Sequence, residues 1–191
     1  MNNLKKYNNI KKTQKNTSDE KFITFYGFNQ VSSIINAKTR KILQIIGTQE
    51  SLGKLFSRNI KNSNFSIKEV NISYINNALK LKDVNHQGIL CLASYKKDVE
   101  IETALNKSKF VVILNNITDI GNIGAIIRSC GALNIDLIIA NKFGMPNIAN
   151  NPDVCKTSSG VSEFINIAQV ASLNKWLEHL KQNKFALIGL D

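Results

Sequence analysis

Residues 109–140, KFVVILNNITDIGNIGAIIRSCGALNIDLIIA, decide how the chain folds. The stretch opens with the apolar run 110–114, whose β-branched residues predict a strand buried on both faces of a sheet. Apolar residues then recur at helical spacing from Ile123 to Cys130, and residues 135–140 have the composition of a second strand. The pattern predicts a strand–loop–helix–strand unit of an α/β protein.

Polar side chains fill the loop between the first strand and the helix. Asp119 or Asn122 could cap a helix that begins near Asn122, and Gly124 with Ala125 would allow a ligand to approach its first turn. Ligands of such units usually bind beyond the carboxyl ends of the strands, where this loop lies. Arg128, a charge among apolar residues, belongs either to a solvated helical stripe or to a ligand site.

The same residues resemble the first motif of a known family. Asn122, Gly124 and Arg128, preceded by Asp119, fit the pattern Asp-Pro-x-Asn-x-Gly-x-x-x-Arg of the SpoU RNA ribose 2′-O-methyltransferases. Ile120 replaces the proline of that pattern. Members of this family belong to the knotted SPOUT superfamily and use S-adenosylmethionine. The resemblance therefore implies an α/β-knot fold and methyl transfer to RNA.

A second segment matches the family farther along the chain. Residues 159–163, SGVSE, resemble its Ser/Ala-Gly-Ala-x-Glu segment, with Val161 in place of the usual alanine. The resemblance implies a catalytic set of Asn122, Arg128 and Glu163. Arg128 would stabilise developing charge and position phosphate and hydroxyl, Asn122 would orient the ribose or Arg128, and Glu163 would hold them in place.

Residues 22–95 alternate between strand and helix patterns and predict a separate small α/β unit. Tyr26-Gly27 and His86-Gln87-Gly88 are similar, in order and spacing, to the N-terminal substrate-binding domain of SpoU enzymes, which resembles a small ribosomal RNA-binding protein. A local turn role for His86 is the alternative. The predicted RNA contacts, of which Arg40 and Lys41 rest on charge alone, are Arg40, Lys41, His86, Gln87 and Lys142.

The net charge of +11 favours a polyanionic partner, nucleic acid before an anionic membrane. Residues 1–21 hold six Lys against Asp19 and Glu20, a balance of +4, and little apolar material, which predicts a disordered basic arm. That arm is either a loose phosphate-binding tail or a merely solvated terminus. A Lys- and Asn-rich composition across a whole proteome is a second explanation of the charge.

No signal peptide pattern is evident, and no apolar run approaches the ~20 residues that a transmembrane helix needs. The three cysteines lie far apart without Cys-x-x-Cys spacing, so neither a disulfide framework nor a metal site is predicted. These features favour a reducing, cytoplasmic setting with no membrane association.

The predicted organisation is a basic arm over 1–21, an RNA-binding domain over 22–95, a charged linker over 96–106 and a partial methyltransferase domain over 107–191. Within the last domain, patterns predict strands over 161–170 and 185–190 and a helix over 173–182. Loops are predicted around Gly144, Pro146 and Pro152.

Two further motifs of the family, a Gly-Glu-Gly strand end and a Ser-Leu-Asn segment, are not found in these 191 residues. They form the knot and hold most of the methyl donor in that family. The expectation is a truncated or split-gene product with weak binding of S-adenosylmethionine by this chain alone. The family-type homodimer is in doubt for the same reason.

Three functions remain open. The first is an RNA ribose 2′-O-methyltransferase that acts on ribosomal or transfer RNA, and the second is a non-catalytic RNA-binding remnant of that family. The third is a nucleotide-binding α/β protein, motivated by Gly121-x-x-Gly124. It is disfavoured because the dinucleotide fingerprint needs Gly-x-Gly-x-x-Gly.

Overall fold

The computed structural model describes residues 20–57, 64–79 and 84–189. The chain divides into two compact units between Tyr95 and Lys96. The basic arm predicted over residues 1–21 lies outside the described residues, apart from its last two positions.

The first unit is an α/β unit whose described residues form one mixed sheet. Its elements are β1 (Phe22–Tyr26), α1 (Phe28–Ala37), β2 (Ile42–Gly47), α2 (Gln49–Phe56), β3 (Ser66–Glu69), α3 (Ile72–Leu79) and β4 (Ile89–Ser94). The strand order is β1-β4-β2-β3, with β4 antiparallel to both of its neighbours and β2 parallel to β3. The alternation of strands and helices predicted from the sequence is confirmed.

The second unit contains a parallel sheet in the order β5-β6-β7 among its described residues. Its elements are α4 (Ile101–Leu105), β5 (Val111–Leu114), α5 (Ile120–Ala132), β6 (Leu137–Asn141), α6 (Pro152–Thr157), a 3₁₀ turn (Val161–Glu163), β7 (Asn166–Val170) and α7 (Leu173–Gln182). The strand–loop–helix–strand unit predicted from residues 109–140 is therefore present as β5, α5 and β6.

Strand β6 lies in the middle of this sheet and is buried on both faces. Ile138 and Ala140 pack in one apolar cluster with side chains of α5 and α6. Leu137 and Ile139 pack in a second cluster with α4 and α7. Because successive side chains of a strand point to opposite faces, the helices cover the sheet from both sides, as parallel sheets require.

The strand predicted over residues 110–114 is present as β5, with Val112 and Leu114 packed in one apolar cluster and Val111 and Ile113 in the other, but it starts one residue later and is mostly half-buried. Strand β5 pairs with β6 alone among the described residues and so lies at an edge of the sheet. Phe110, just before it, is 62% exposed, and Val111 to Ile113 are half-buried. Composition predicted the strand but not its place in the sheet, because an edge strand and a central strand can share the same apolar residues.

The strand predicted over 161–170 is shorter than expected. Gly160 has a φ of 85° and starts the 3₁₀ turn, so regular strand begins only at Asn166. The second strand, predicted over 185–190, is not formed in its described part, residues 185–189. Helix α7 ends where Lys184 adopts a φ of 63° and the Phe185 amide donates to the Leu180 carbonyl at 3.0 Å.

Helix α6 begins at Pro152, where the sequence predicts a loop. The Asn151 side chain accepts from the amides of Asp153 and Val154 at 2.8 and 3.3 Å, which caps the helix, and Pro152 occupies its first turn. Proline is tolerated there because that position has no helical hydrogen bond to lose. An Asn-Pro pair was therefore a helix start in this chain.

Residues 96–106 are not a connector. Val99, Ile101 and Leu105 pack in the apolar cluster of the second unit, and the Lys96 amide donates to the Asn150 side chain at 2.7 Å. The many charged residues of this segment suggested a linker, but its apolar residues lie on the side that faces the sheet.

Gly124 has a packing role rather than the ligand-approach role predicted from the sequence. It is buried, and a Cβ atom at this position would overlap the Thr157 side chain and lie 2.8 Å from its backbone carbon. A Cβ at Gly131, two turns later, would overlap Val161. Helix α5 therefore packs closely against α6 and the 3₁₀ turn through two glycines on one face.

Gly124→Ala should destabilise the second unit by about 1–3 kcal/mol, because overpacking outweighs the gain in helix propensity of roughly 0.5–1 kcal/mol. Trp176 is the single tryptophan of the chain and is buried in this unit, so its fluorescence in urea measures the effect. The control is Gly53→Ala in α2 of the first unit, where a Cβ meets no atom within 4 Å and a gain in stability is expected. Because Trp176 reports on the second unit, circular dichroism follows the unfolding of this control. A gain in both variants would contradict the packing role.

Asp136 fixes the start of β5. Its carboxylate accepts from the amides of Phe110 at 3.0 Å and Lys109 at 2.8 Å, and these hydrogen bonds lower the pKa of Asp136. The charged form is therefore favoured in the folded chain. The resulting stabilisation is present above the unfolded-state pKa, about 3.9, and is lost as the pH falls through the lower folded-state value.

Asp136→Asn should flatten the dependence of the second unit's stability on pH below about 4, because the ionisable partner of the two amides is gone. Urea midpoints from Trp176 fluorescence across a pH series measure this dependence. Asp98→Asn removes an equal charge from a carboxylate without a hydrogen bond in the described part of the unit and serves as the control. A pH dependence that is unchanged by Asp136→Asn would refute the assignment.

Candidate functional site

The loop between β5 and α5 is fixed by two hydrogen bonds. The Asp119 carboxylate accepts from the Asn122 amide at 2.7 Å, so Asp119, not Asn122, is the cap, and the helix begins at Ile120. The Asn116 amide donates to the Asn141 side chain at 3.1 Å. This second bond ties the loops that follow β5 and β6 at the carboxyl edge of the sheet.

Arg128 lies six residues after Asn122 on α5, and both side chains are exposed. Six residues correspond to about 9 Å along a helix, and helical side chains lean towards the N-terminus. The guanidinium forms no hydrogen bond or ion pair within the part of the chain that the structure describes. Arg128 is thus a positive charge that the described residues do not pair.

Glu163 lies in the 3₁₀ turn, which packs against α5 through the contact of Val161 with Gly131. Its side chain is only 1% exposed. The structure brings the segment that carries Glu163 against the helix that carries Arg128. No hydrogen bond or ion pair joins Glu163 to Arg128 or Asn122 among the described residues, so the three-residue catalytic set stays a prediction.

Lys96 fixes the segment around Glu163 and was not identified from the sequence. Its ammonium donates to the carbonyl oxygens of Ser162, Glu163 and Ile165 at 3.0, 3.2 and 3.1 Å. Ser162 and Glu163 belong to the 3₁₀ turn, and Ile165 directly precedes β7. Because one cation satisfies three acceptors, Lys96 holds the backbone of Glu163 in place. A single lysine in a charged stretch carries no sequence signal for that role.

In the first unit, the residues of the His-Gln-Gly segment support neighbouring backbone. The Gly88 amide donates to His86 Nδ1 at 3.1 Å, so Nε2 of the neutral ring carries the hydrogen that meets Asn76 Oδ1 at 2.7 Å. Gln87 Oε1 accepts from the Phe28 amide at 2.8 Å and so caps α1, where Gly27 has no side chain to do it. The two sequence motifs of this unit, Tyr-Gly and His-Gln-Gly, therefore meet in space.

An open cleft of about 580 Å³ lies beside this segment. It is lined by the first turns of α1 and α2, by Ile72 at the start of α3 and by the loop over 84–88. On its wall the Lys54 ammonium pairs with Glu50 at 2.6 Å, and this hydrogen bond lowers the pKa of Glu50. The cleft therefore offers hydrogen-bonding groups rather than a strong excess of positive charge.

Arg40 does not fit the role predicted from its charge. It is buried, donates to the Ser94 carbonyl at 3.0 Å and lies 4.7 Å from the centre of the Phe25 ring. Its guanidinium is used within the unit, which corrects the expectation of an RNA contact. Lys41 is exposed and pairs with Glu20 at 2.9 Å, and Lys142 is exposed in the second unit.

The described residues contain no group of three or more His, Cys, Asp or Glu side chains placed to hold a metal ion. Cys91, Cys130 and Cys155 are buried thiols, and burial raises the pKa of Cys130. In the same residues no helix has the length and apolarity needed to cross a membrane.

The sequence profile of the SpoU rRNA Methylase family matches residues 109–191, which hold β5, α5 and the 3₁₀ turn. This stretch is therefore similar to a SpoU rRNA Methylase domain. The matched stretch lies within the second unit.

Two curated relatives agree with the family. The 23S rRNA (guanosine-2′-O-)-methyltransferase RlmB of Blochmanniella floridana is 28% identical over 174 residues, which are 86% of this chain and 67% of that protein. An uncharacterized tRNA/rRNA methyltransferase of Mycoplasma genitalium is 34% identical over 131 residues, 65% of this chain and 52% of that protein.

Solved structures of SpoU methyltransferases share the mixed α/β fold. An RNA 2′-O ribose methyltransferase has a TM-score of 0.66 at 17% identity, over 85% of this chain and 60% of that one. AviRb from Streptomyces viridochromogenes, solved in complex with AdoMet, has a TM-score of 0.65 at 16% identity, over 86% and 60%. The chain thus spans between about half and two thirds of the length of these proteins.

Several positions of the SpoU motif have a structural explanation in this chain. Asp119 caps α5, and Gly124 allows α5 to approach Thr157. Asn122 and Arg128 lie exposed on the same helix. The motif therefore combines residues that build the helix contact with two residues that the fold leaves available.

Lys96→Met should destabilise the second unit by about 1.5–3 kcal/mol, because three carbonyl oxygens lose a charged donor while the aliphatic packing is kept. Urea unfolding followed by Trp176 fluorescence measures the loss. Lys96→Arg keeps the charge and is the control, with a smaller loss expected. Equal stability of wild type and Lys96→Met would show that the three bonds contribute nothing.

Proposed function

We propose that the protein is an RNA ribose 2′-O-methyltransferase of the SpoU type that acts on ribosomal or transfer RNA in the cytoplasm. The observation that carries the proposal is Arg128. It is an exposed guanidinium with no bond in the described part of the chain, on the helix that begins at the carboxyl edge of the second unit's sheet. Substrates of such sheets bind beyond that edge.

The proposed chemistry starts from the weakness of a ribose 2′-hydroxyl as a nucleophile. Its proton must leave, here to solvent because no residue is assigned as the base, and a group must stabilise the negative charge that develops on its oxygen. Arg128 is effectively always protonated, so its role is charge stabilisation and binding of the adjoining phosphate, not proton abstraction. Asn122, at the start of the same helix, orients the ribose through its amide.

Glu163 and Lys96 position these groups and do not contact the substrate. The Lys96 ammonium holds the backbone carbonyl of Glu163, and Val161 of the same turn packs against Gly131 of α5. The turn and the helix are therefore held as one rigid element. Catalysis by preorganised charge depends on such rigidity, because the donor must be in place before the charge develops.

S-adenosylmethionine, the proposed donor, would supply an electrophilic methyl group on a positively charged sulfur. A guanidinium suits the anionic RNA and does not suit a sulfonium, so Arg128 is assigned to the acceptor side. Residues that hold the donor stay unassigned.

The first unit is proposed to bind the RNA substrate. Its support is the cleft beside His86, Gln87 and Gly88, where two helices begin. Binding of phosphates by lysines and arginines releases counterions, so the affinity of the chain for RNA should fall steeply with salt. RNA binding without methyl transfer is the second candidate function, favoured because no hydrogen bond or ion pair joins Arg128 to Glu163 among the described residues.

The test compares wild type with Arg128→Ala for binding and for transfer of a labelled methyl group from S-adenosylmethionine to ribosomal and transfer RNA transcripts. Loss of a preorganised donor should lower the transfer rate by roughly 10²- to 10³-fold. Lys181→Ala is the matched control, because it removes an equal exposed charge from α7 on the opposite face of the sheet.

Three outcomes separate the candidates. A rate that falls only in Arg128→Ala supports the assigned role, and equal rates in all three proteins refute it. RNA binding with no transfer in wild type favours the binding function. Absence of salt-dependent RNA binding in wild type refutes both functions.

A further inference from the structure

The loop after β6 carries an exposed aromatic ring. None of the roles proposed above uses this ring. Phe143 is 69% exposed, and Lys142 beside it is exposed as well. Exposed apolar residues are common singly, so exposure alone indicates nothing. The informative feature is that hydrogen bonds hold the backbone that carries the ring.

The loop is held at both ends by one side chain. Gln169 Nε2 donates to the carbonyls of Asn141 and Pro146, both at 3.0 Å, and its Oε1 accepts from the Ile148 amide at 2.7 Å. The Lys142 amide donates to the Val170 carbonyl at 2.8 Å. The loop therefore has a defined conformation, and the exposure of Phe143 is part of that conformation.

The direction of Phe143 is set by its neighbours in the chain. Met145 is half-buried and packs on the apolar cluster under α5, so this loop has an apolar anchor without Phe143. Gly144 between them has a φ of 77°, and a Cβ there would meet no atom within 4 Å. The turn therefore directs Met145 inwards, and it leaves open space at Gly144, next to Phe143.

The ring lies at the edge of the sheet where α5, the helix of the proposed acceptor site, begins. Phe143 follows the carboxyl end of β6, and the bond from the Asn116 amide to Asn141 joins this loop to the one that leads into α5. Asn122 and Arg128 are on that helix. A flat apolar surface next to a cation is the combination that binds a nucleotide of a single strand, by base stacking and phosphate contact.

We propose that Phe143 and Lys142 form a nucleotide-stacking element, in which the Phe143 ring stacks on an unpaired RNA base and Lys142 contacts the adjoining phosphate. The proposal rests on the proposed function, since it extends the RNA-binding surface of the second unit. It assigns Phe143 to the binding of a nucleotide near the modified ribose and gives it no part in the transfer step.

The chain offers a matched control. Lys109-Phe110 repeats the same dipeptide, and Phe110 is 62% exposed, but it precedes β5 and so lies at the amino edge of the sheet. The Phe110 backbone is held by Asp136, which a change of side chain leaves in place. Phe110→Ala therefore removes a similarly exposed phenyl ring from the amino edge of the sheet, away from the proposed site.

The experiment measures binding of the full chain to an oligoadenylate of roughly 12 nucleotides, within the ~4–16 nucleotides of single-strand sites, and to an abasic ribose-phosphate oligomer of equal length. Phe143→Ala should weaken oligoadenylate binding by roughly 5- to 150-fold, as expected for one lost stack, with an unchanged salt slope and unchanged abasic binding. Lys142→Ala should weaken both oligomers and lower the salt slope by about one.

A direct readout uses Phe143→Trp and Phe110→Trp, which share the buried Trp176 as a constant background. Oligoadenylate should quench the tryptophan fluorescence of Phe143→Trp and leave that of Phe110→Trp unchanged. Equal affinities of Phe143→Ala and Phe110→Ala, with no selective quenching, overturn the proposal while wild-type RNA binding keeps the proposed function intact. A change of oligomeric state in Phe143→Ala at unchanged RNA affinity would also overturn it, because the ring would then be a contact between copies.

Discussion

The close packing of α5 against α6 and the 3₁₀ turn is the constraint on which the second unit depends. Gly124 and Gly131 leave room for Thr157 and Val161; a Cβ at either glycine would overlap these side chains, and at Gly124 it would also lie 2.8 Å from the Thr157 backbone carbon. This contact brings the segment of Glu163 to the helix of Arg128, although the two residues are 35 positions apart in the chain (163 − 128). The two glycines therefore allow the close approach of the segments that carry the candidate site residues.

Polar side chains that bond to backbone complete this arrangement. Lys96 closes the turn at Glu163, Gln169 closes the loop that carries Phe143, and Gln87 caps α1 in the first unit. Each side chain satisfies carbonyls or amides that irregular backbone would otherwise leave without partners. Irregular segments can therefore hold fixed conformations and present other side chains to a ligand.

The residues that carry the family resemblance divide into two groups on this basis. Asp119, Gly124 and Gln87 are used within the fold, whereas Asn122 and Arg128 are exposed on α5. The motif therefore contains residues that build the site and residues that are exposed to a ligand. Position in the structure, rather than membership of the motif, separates the residues that are available to RNA.

The sequence by itself determined most of the elements and their order, because apolar periodicity, caps and turn residues act over a few neighbours. It did not predict α6, and the strand that it predicted over 185–190 is not formed in the described residues 185–189. It also identified the SpoU motifs. Only the tertiary structure decided that β5 is an edge strand, that residues 96–106 pack in the second unit and that Arg40 is buried under Ser94 and Phe25. These outcomes depend on partners that are distant in the chain, and local patterns carry no information about which partner a side chain meets.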